Sequence, residues 1–307
     1  MIYTLTLNGA VDYTVFLSEN LKIGGDNRAS SAHICAGGKG INCAVMLKRL
    51  GQDAAALGFA GGVTGDIIKS CLYDEGVECL LTQTHCATRI NVKVMFDGMT
   101  EIGGISGSIT EGELYDVFEK LSDISSDDIL VLSGSIPPGA DPHIYNTIAE
   151  NAFGKNISTV LDIPGKAIAE CLKYRPMLIK PNLSELEDIF GNCIKSTEEV
   201  KEKAKELCRM GAMAALVSLG GDGAVLALEN GDVYSSPAVP VKVKSAVGSG
   251  DSMVAGYIVG NLLSGEPEKA LRMAIAAGSA TASCTGLAPK EKVEELYEVT
   301  RGTVKKE

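Results

Sequence analysis

Tryptophan is absent from the sequence, aromatic residues make up only 5%, and the three histidines, His33, His85 and His143, lie far apart. Nine cysteines are scattered (Cys35, Cys43, Cys71, Cys79, Cys86, Cys171, Cys193, Cys208 and Cys284), and no two form a Cys-x-x-Cys pair. Neither zinc-type ligand spacing nor a disulfide framework is present, so the cysteines read as small apolar residues in a reducing compartment. No stretch reaches the roughly 20 continuous apolar residues of a membrane helix. The opening MIYTLTLNGAVDY lacks the parts of a signal peptide, so a cytoplasmic protein away from membranes is expected. Positive charge is also in short supply, with 28 Lys and Arg against 39 Asp and Glu and a net charge of −11. Nucleic acid is therefore not an expected partner, because its phosphate backbone demands a basic footprint. A small anion stays within reach, since salt screens the global repulsion beyond about 8 Å and a local cationic cluster can dominate.

What is present is a 45% apolar chain of 307 residues, enough for a full α/β core. The first eight residues alternate, Tyr3, Leu5 and Leu7 against Thr4, Thr6 and Asn8, as a strand does. After AGGKG (Ala36 to Gly40), Ile41, Ala44, Val45, Leu47 and Lys48 recur at helical spacing, and Gly51 ends the run. ALGFAG is a buried-strand candidate, and 65–75 reads as a helix. TRINVKVMF alternates sharply, placing Arg89, Asn91 and Lys93 on one strand face and Ile90, Val92 and Val94 on the other. DILVLSG, STVLDI, MLIKPN and AALVSLG then alternate with helical patterns at 110–122, 141–153, 184–190 and 196–210. The final third ends in two helices, about 250–264 and 267–285. This rhythm predicts a parallel sheet with helices on both faces. Two segments, about 10–34 and 87–107, break it with strands that have no intervening helix, which predicts a small separate sheet.

The strongest local signal for chemistry is VGSGDSMVAG, where Gly248, Ser249 and Gly250 precede an apolar helix and Asp251 stands in its first turn. A helix N-terminus offers free N–H groups and partial positive charge, which suits a transferring phosphoryl group. Asp251 can take a proton from an attacking hydroxyl, or serve only as an N-cap, and the segment alone leaves both open. Other nucleotide motifs fail on spacing. Gly154-Lys155 and Gly165-Lys166 are followed by Asn156 and Ala167, not by the Ser or Thr of a Walker loop. A dinucleotide fingerprint needs glycine where Met253 stands.

Taken in order, AGGKGIN, TRINVKV, SGSIPPG, KPNLSEL, VSLGGDGA and VGSGDSMVAG resemble the PfkB, or ribokinase-like, carbohydrate kinases over nearly the whole chain. The resemblance implies a single kinase domain over 1–307. Its fold would be three-layer αβα around a mostly parallel sheet, with a small β lid formed by about 10–34 and 87–107. It implies ATP and magnesium as cofactors and a sugar phosphate as substrate. Asp251 would be the base, and the N–H groups of Gly248, Ser249 and Gly250 the anion hole. Asn182 and Glu185 match an N-x-x-E element that organises magnesium, water and triphosphate, Glu185 reaching the metal through water. A first-turn acid satisfying the helix dipole is the plainer account of Glu185. Ser218, Gly220 and Gly223 match a turn beside the nucleotide, which a simple tight turn also explains. On the sugar side the resemblance assigns Asp12, Gly37, Gly38 and Asn42. Lys39 and Arg89 would grip the phosphate already on the substrate, with Lys93, Ser135 and Arg28 as helpers.

Within the family the chain is most similar to kinases of fructose 1-phosphate and of tagatose 6-phosphate. The expected reaction is D-fructose 1-phosphate plus ATP to fructose 1,6-bisphosphate. The alternatives are a tagatose-6-phosphate or fructose-6-phosphate 1-kinase, and more distantly a non-catalytic sugar-phosphate sensor. Two stretches depart from the pattern: Asn8-Gly9 replaces Asn-Pro, and Gly103 and Gly107 stand where Asn and Pro are expected. Exposed edges of a lid sheet further predict a homodimer formed through it.

Overall fold

The computed structural model describes all 307 residues. The alternating start forms β1 (Ile2–Thr6), followed by β2 (Ala10–Leu17), β3 (Ala29–Gly37), α1 (Lys39–Arg49), β4 (Ala54–Gly61) and α2 (Gly62–Asp74). Next come β5 (Glu78–Thr84), β6 (Arg89–Phe96), β7 (Gly98–Ile102), α3 (Glu111–Ser122), β8 (Ile129–Ser133), α4 (Ile144–Gly154) and β9 (Ser158–Asp162). The chain continues through α5 (Gly165–Cys171), β10 (Leu178–Ile179), α6 (Leu183–Phe190), α7 (Thr197–Arg209), β11 (Ala214–Ser218), β12 (Ala224–Leu228) and β13 (Val233–Ser236). It closes with α8 (Ser249–Ser264), α9 (Pro267–Ala282), α10 (Lys290–Val299) and β14 (Lys305–Lys306).

Several helix starts follow directly from residue type. Thr110 with Glu113, and Asn182 with Glu185, form reciprocal capping boxes, and the Ser196 side chain accepts from the Glu199 N–H. Proline opens α9, where its missing N–H has no partner to lose.

A ten-stranded sheet has the order β14-β13-β12-β11-β10-β9-β8-β1-β4-β5. The strands from β11 to β5 run parallel, while β12, β13 and β14 pair antiparallel at one edge. Helices α1, α2, α8, α9 and α10 bury one face, and α3 to α7 bury the other. In β1 and the residue after it the alternation therefore separates two buried faces: Leu5 and Leu7 join the α3–α7 layer, and Thr4 and Thr6 are as buried as they are. No helix is long and apolar enough to cross a membrane.

The chain ends in more structure than the expected pair of helices. The extra pieces there are α10 and the antiparallel strands, and α5 is a further unexpected helix between β9 and β10. Asn230-Gly231 between the short apolar runs of β12 and β13 is a hairpin signal that the α/β rhythm masked.

The two segments that broke the rhythm build a separate four-stranded sheet, in the order β3-β2-β6-β7. Central β2 runs antiparallel to β3 and parallel to β6, and the register sets Asp12 beside Cys35 and Asn91, and Thr14 beside His33 and Lys93. One face is thus polar, and the other carries Tyr13, Val15, Ile34, Val92 and Ile102. Ile34 and Ile102 are 51% and 60% exposed.

Candidate active site

Parallel strands end in loops on one edge of a sheet, and side chains placed there converge on a common crevice. Here Asn8 follows β1, Ser135 follows β8, Asp162 ends β9, Lys180 and Asn182 follow β10, and Ser218 ends β11. Together with the polar face of the small sheet and the start of α8, these residues other than Asp162 border a cleft of about 1360 Å³.

Asp251 lies in the first turn of α8 and is only 7% exposed. Its Oδ2 accepts from Asn42 Nδ2 at 2.8 Å. Burial, reinforced by the Asp162 carboxylate, pushes its pKa up to about 6, against the opposing pull of Asn42, Lys180 and Lys39. The result is a carboxylate that is ionised at neutral pH yet a much better proton acceptor than an ordinary aspartate. Gly248 caps the helix at φ 78°, and a Cβ there would come within 2.8 Å of Leu287 Cδ2, so this turn requires glycine. The Ser249 N–H turns to the Ala246 carbonyl at 3.3 Å, and the Gly250 and Asp251 N–H groups have no backbone acceptor. Those two are the first-turn donors free for an anion.

A charge cluster stands next to them. Lys39 Nζ lies 2.9 Å from Asp162 Oδ1 and 3.3 Å from Glu185 Oε1, and Lys180 Nζ lies 3.3 Å from Asp162 Oδ1. Asp162 and Lys180 are 1% and 3% exposed. Burial alone would raise the pKa of Asp162, but Lys180 and Lys39 hold it below the usual carboxylate range. Burial likewise opposes the charge on Lys39, and Asp162 and Glu185 overcome it, so its pKa lies above that of an ordinary lysine. A Cβ on Gly250 would sit 3.3 Å from Lys180 Nζ, which puts that ammonium at the mouth of α8.

On the other side, Asp12 is buried and held twice, by Lys93 Nζ on Oδ2 at 2.5 Å and Asn91 Nδ2 on Oδ1 at 3.0 Å. Gly37 is packed so tightly here that a Cβ would approach Asp12 Cγ to 2.6 Å. Arg89 Nη2 donates to the Asn8 carbonyl at 3.3 Å, while Arg89 Nε is buried with no partner.

The site residues named from sequence fall into place unequally. Asp12, Gly38, Lys39, Asn42, Arg89, Lys93, Ser135, Asn182, Ser218, Gly220, Gly223 and the segment 248–251 all border the cleft. Gly37 backs it through Asp12. Glu185 meets it through Lys39, and its other oxygen completes the capping box with the Asn182 N–H at 2.9 Å. Lys93 is tied to Asp12, and Lys39 lies with Asp162 and Glu185. Arg28 is exposed just before β3 and borders neither this cleft nor the adjoining cavity of about 550 Å³ under the small sheet. Asp162 and Lys180 escaped the sequence reading. Their signal was position, at the C-terminal ends of β9 and β10.

The sequence matches the pfkB family carbohydrate kinase domain over residues 6–293. The chain belongs to that family. Membership makes it a phosphotransferase, and ATP use is what the family implies. Among its relatives, a 1-phosphofructokinase of Bacillus subtilis is 40% identical over 296 residues, covering 96% of this chain and 97% of that protein. A D-tagatose-1-phosphate kinase of Bacillus licheniformis is 36% identical over 298 residues, covering 96% and 97%. Phosphofructokinase-2 of Escherichia coli, solved in complex with substrates and products, superposes with a TM-score of 0.91 at 30% identity over 98% of this chain and 99% of that one.

Proposed function

We propose that this chain transfers the γ-phosphoryl group of ATP to the 6-hydroxyl of D-fructose 1-phosphate, giving fructose 1,6-bisphosphate. The observation that carries it is the buried, Asn42-bound Asp251 carboxylate beside unpartnered N–H groups at the start of α8. Asp251 accepts the proton of the attacking hydroxyl, and the Gly250 and Asp251 N–H groups, with Lys180, face the charge of the moving phosphoryl group. Asp12 accepts sugar hydroxyls; Lys93 and Asn91 fix its carboxylate. Arg89 and Ser135, side by side on the cleft wall, bind the phosphate that the sugar already carries. The Ser218–Gly223 turn borders the nucleotide end of the cleft.

Both Glu185 oxygens already accept protein donors, Asn182 N–H and Lys39 Nζ, a donor set that suits magnesium held through water rather than directly. Bound there, the ion neutralises charge on the triphosphate. The small sheet acts as a lid on a single kinase domain, and its apolar outer face, with Ile34 and Ile102 exposed, pairs with a second copy in a homodimer.

An aldolase-coupled assay tests this by following the bisphosphate formed from fructose 1-phosphate, ATP and magnesium as pH varies. The base form of Asp251 is lost as pH falls through about 6. The expected kcat/KM is therefore flat above that value and drops about tenfold per pH unit below it. Absence of bisphosphate, or a profile without that limb, contradicts the assignment.

A further inference from the structure

The Asn8 side chain, in the turn after β1, is hydrogen-bonded at both ends. Ser106 Oγ donates to its Oδ1 at 2.8 Å, and its Nδ2 donates to Ser135 Oγ at 3.0 Å. Its backbone carbonyl holds Arg89 Nη2 at 3.3 Å. One residue thus joins the loop after β7, the loop after β8 and the first residue of β6 along one wall of the cleft.

The direction of these bonds has a chemical consequence. With the amide oxygen accepting from Ser106, its NH2 group faces Ser135. Ser135 receives an amide proton on its oxygen, so its own O–H is left to donate elsewhere. Arg89 Nε–H, buried without an acceptor, is a second donor in the same state. A buried donor without a partner is destabilising, and the Arg89 side chain borders the cleft where an anionic ligand would bind. Ser135 and Arg89, both held by one braced asparagine on the cleft wall, offer donors that match two oxygens of a phosphate.

We propose that Asn8 is a positioning residue that presents Ser135 and Arg89 to the phosphate already on the substrate, with Ser106 bracing the other end of its amide. This rests on the assignment of Arg89 and Ser135 as the phosphate clamp. It also gives a role to the 103–107 segment, where the chain departs from its family's pattern: Ser106 braces Asn8, and the Gly104 N–H donates to Asn91 Oδ1 at 3.1 Å.

The test compares Asn8→Ala, Asn8→Asp and Arg89→Ala with the parent enzyme. It measures KM and kcat for fructose 1-phosphate and the inhibition constant of inorganic phosphate competing with it. Asn8→Ala should raise both that KM and the phosphate inhibition constant about tenfold, with kcat falling less than threefold and the KM for ATP unmoved. Asn8→Asp should be worse than alanine. Both serine hydroxyls can still donate to its carboxylate, so the loops stay joined, but the Ser135 proton is taken up and a negative charge faces the phosphate. If Asn8 were only a structural joint, Asn8→Asp would lie nearer the parent enzyme than Asn8→Ala, and that order overturns the proposal. The near-isosteric aspartate carries the test alone should the alanine variant unfold, a KM close to the parent's being the contrary result. If Arg89→Ala leaves both constants unmoved, the phosphate clamp itself is wrong, and the role of Asn8 falls with it. If Arg89→Ala raises them and neither Asn8 variant does, only the role of Asn8 is rejected.

Discussion

Replacing Asp251 with asparagine is expected to lower kcat by about 10²–10⁴-fold, the usual size of a lost general base. The amide keeps the shape of the side chain but cannot accept the hydroxyl proton. Sugar affinity should persist, because the groups proposed to hold the sugar and its phosphate (Asp12, Arg89 and Ser135) are untouched. Stability should move the other way. The folded-state pKa of Asp251 is raised above its ordinary value of 3.8 to about 6, chiefly by burial, so the ionised form is disfavoured by folding. Its contribution to stability is full below about pH 4 and is lost as pH rises through about 6. At pH 7.5 the variant lacks this buried charge and should melt at a higher temperature than the parent enzyme. At pH 5, where the folded parent carries a protonated Asp251, the gap should narrow. Near-normal kcat in Asp251→Asn, or a lower melting temperature at pH 7.5, contradicts the picture of a desolvated base kept for function at the expense of stability.

Arg89→Ala carries the second large effect, about a hundredfold rise in KM for fructose 1-phosphate. Charge-assisted hydrogen bonds to a phosphate are among the strong ones, and removing the guanidinium removes both the charge and its geometry. The phosphate it is proposed to grip is present in ground and transition states alike, so kcat should stay within a few-fold of the parent value. Arg89→Lys should recover only part of the affinity, since a point charge cannot reproduce the planar fork. Steady-state kinetics with both substrates varied checks this. A change confined to the ATP constant would place Arg89 at the wrong end of the cleft.

Much of this was legible in the sequence because local pattern and chemistry coincide. The glycines of 248–250 and the apolar helix behind them mark the start of α8. The alternation of TRINVKV places Arg89, Asn91 and Lys93 on one face of β6, as observed. What the sequence concealed depends on long-range pairing. Lys39 looked like a phosphate grip from its motif, but its partners Asp162 and Glu185 come from β9 and α6, more than a hundred residues away. Asp162 itself sits in an apolar strand with no flanking motif. Asn8 drew notice only as the neighbour of Gly9, which stands where a proline is expected; its bonds to Ser106 and Ser135 appear once three loops meet. For Glu185, the sequence offered a magnesium-organising role or a first-turn acid satisfying the helix dipole; one oxygen makes the helix cap, and the contact of the other with Lys39 had no sequence signal.

The most direct single measurement is the kcat/KM of ATP-dependent turnover, with magnesium, across fructose 1-phosphate, fructose 6-phosphate, tagatose 1-phosphate, tagatose 6-phosphate and unphosphorylated fructose. The account predicts that fructose 1-phosphate ranks first and that fructose falls below it by about 10² or more, the share of binding assigned to the phosphate clamp. Equal turnover of fructose and fructose 1-phosphate, or no turnover of any of these sugars, would contradict it.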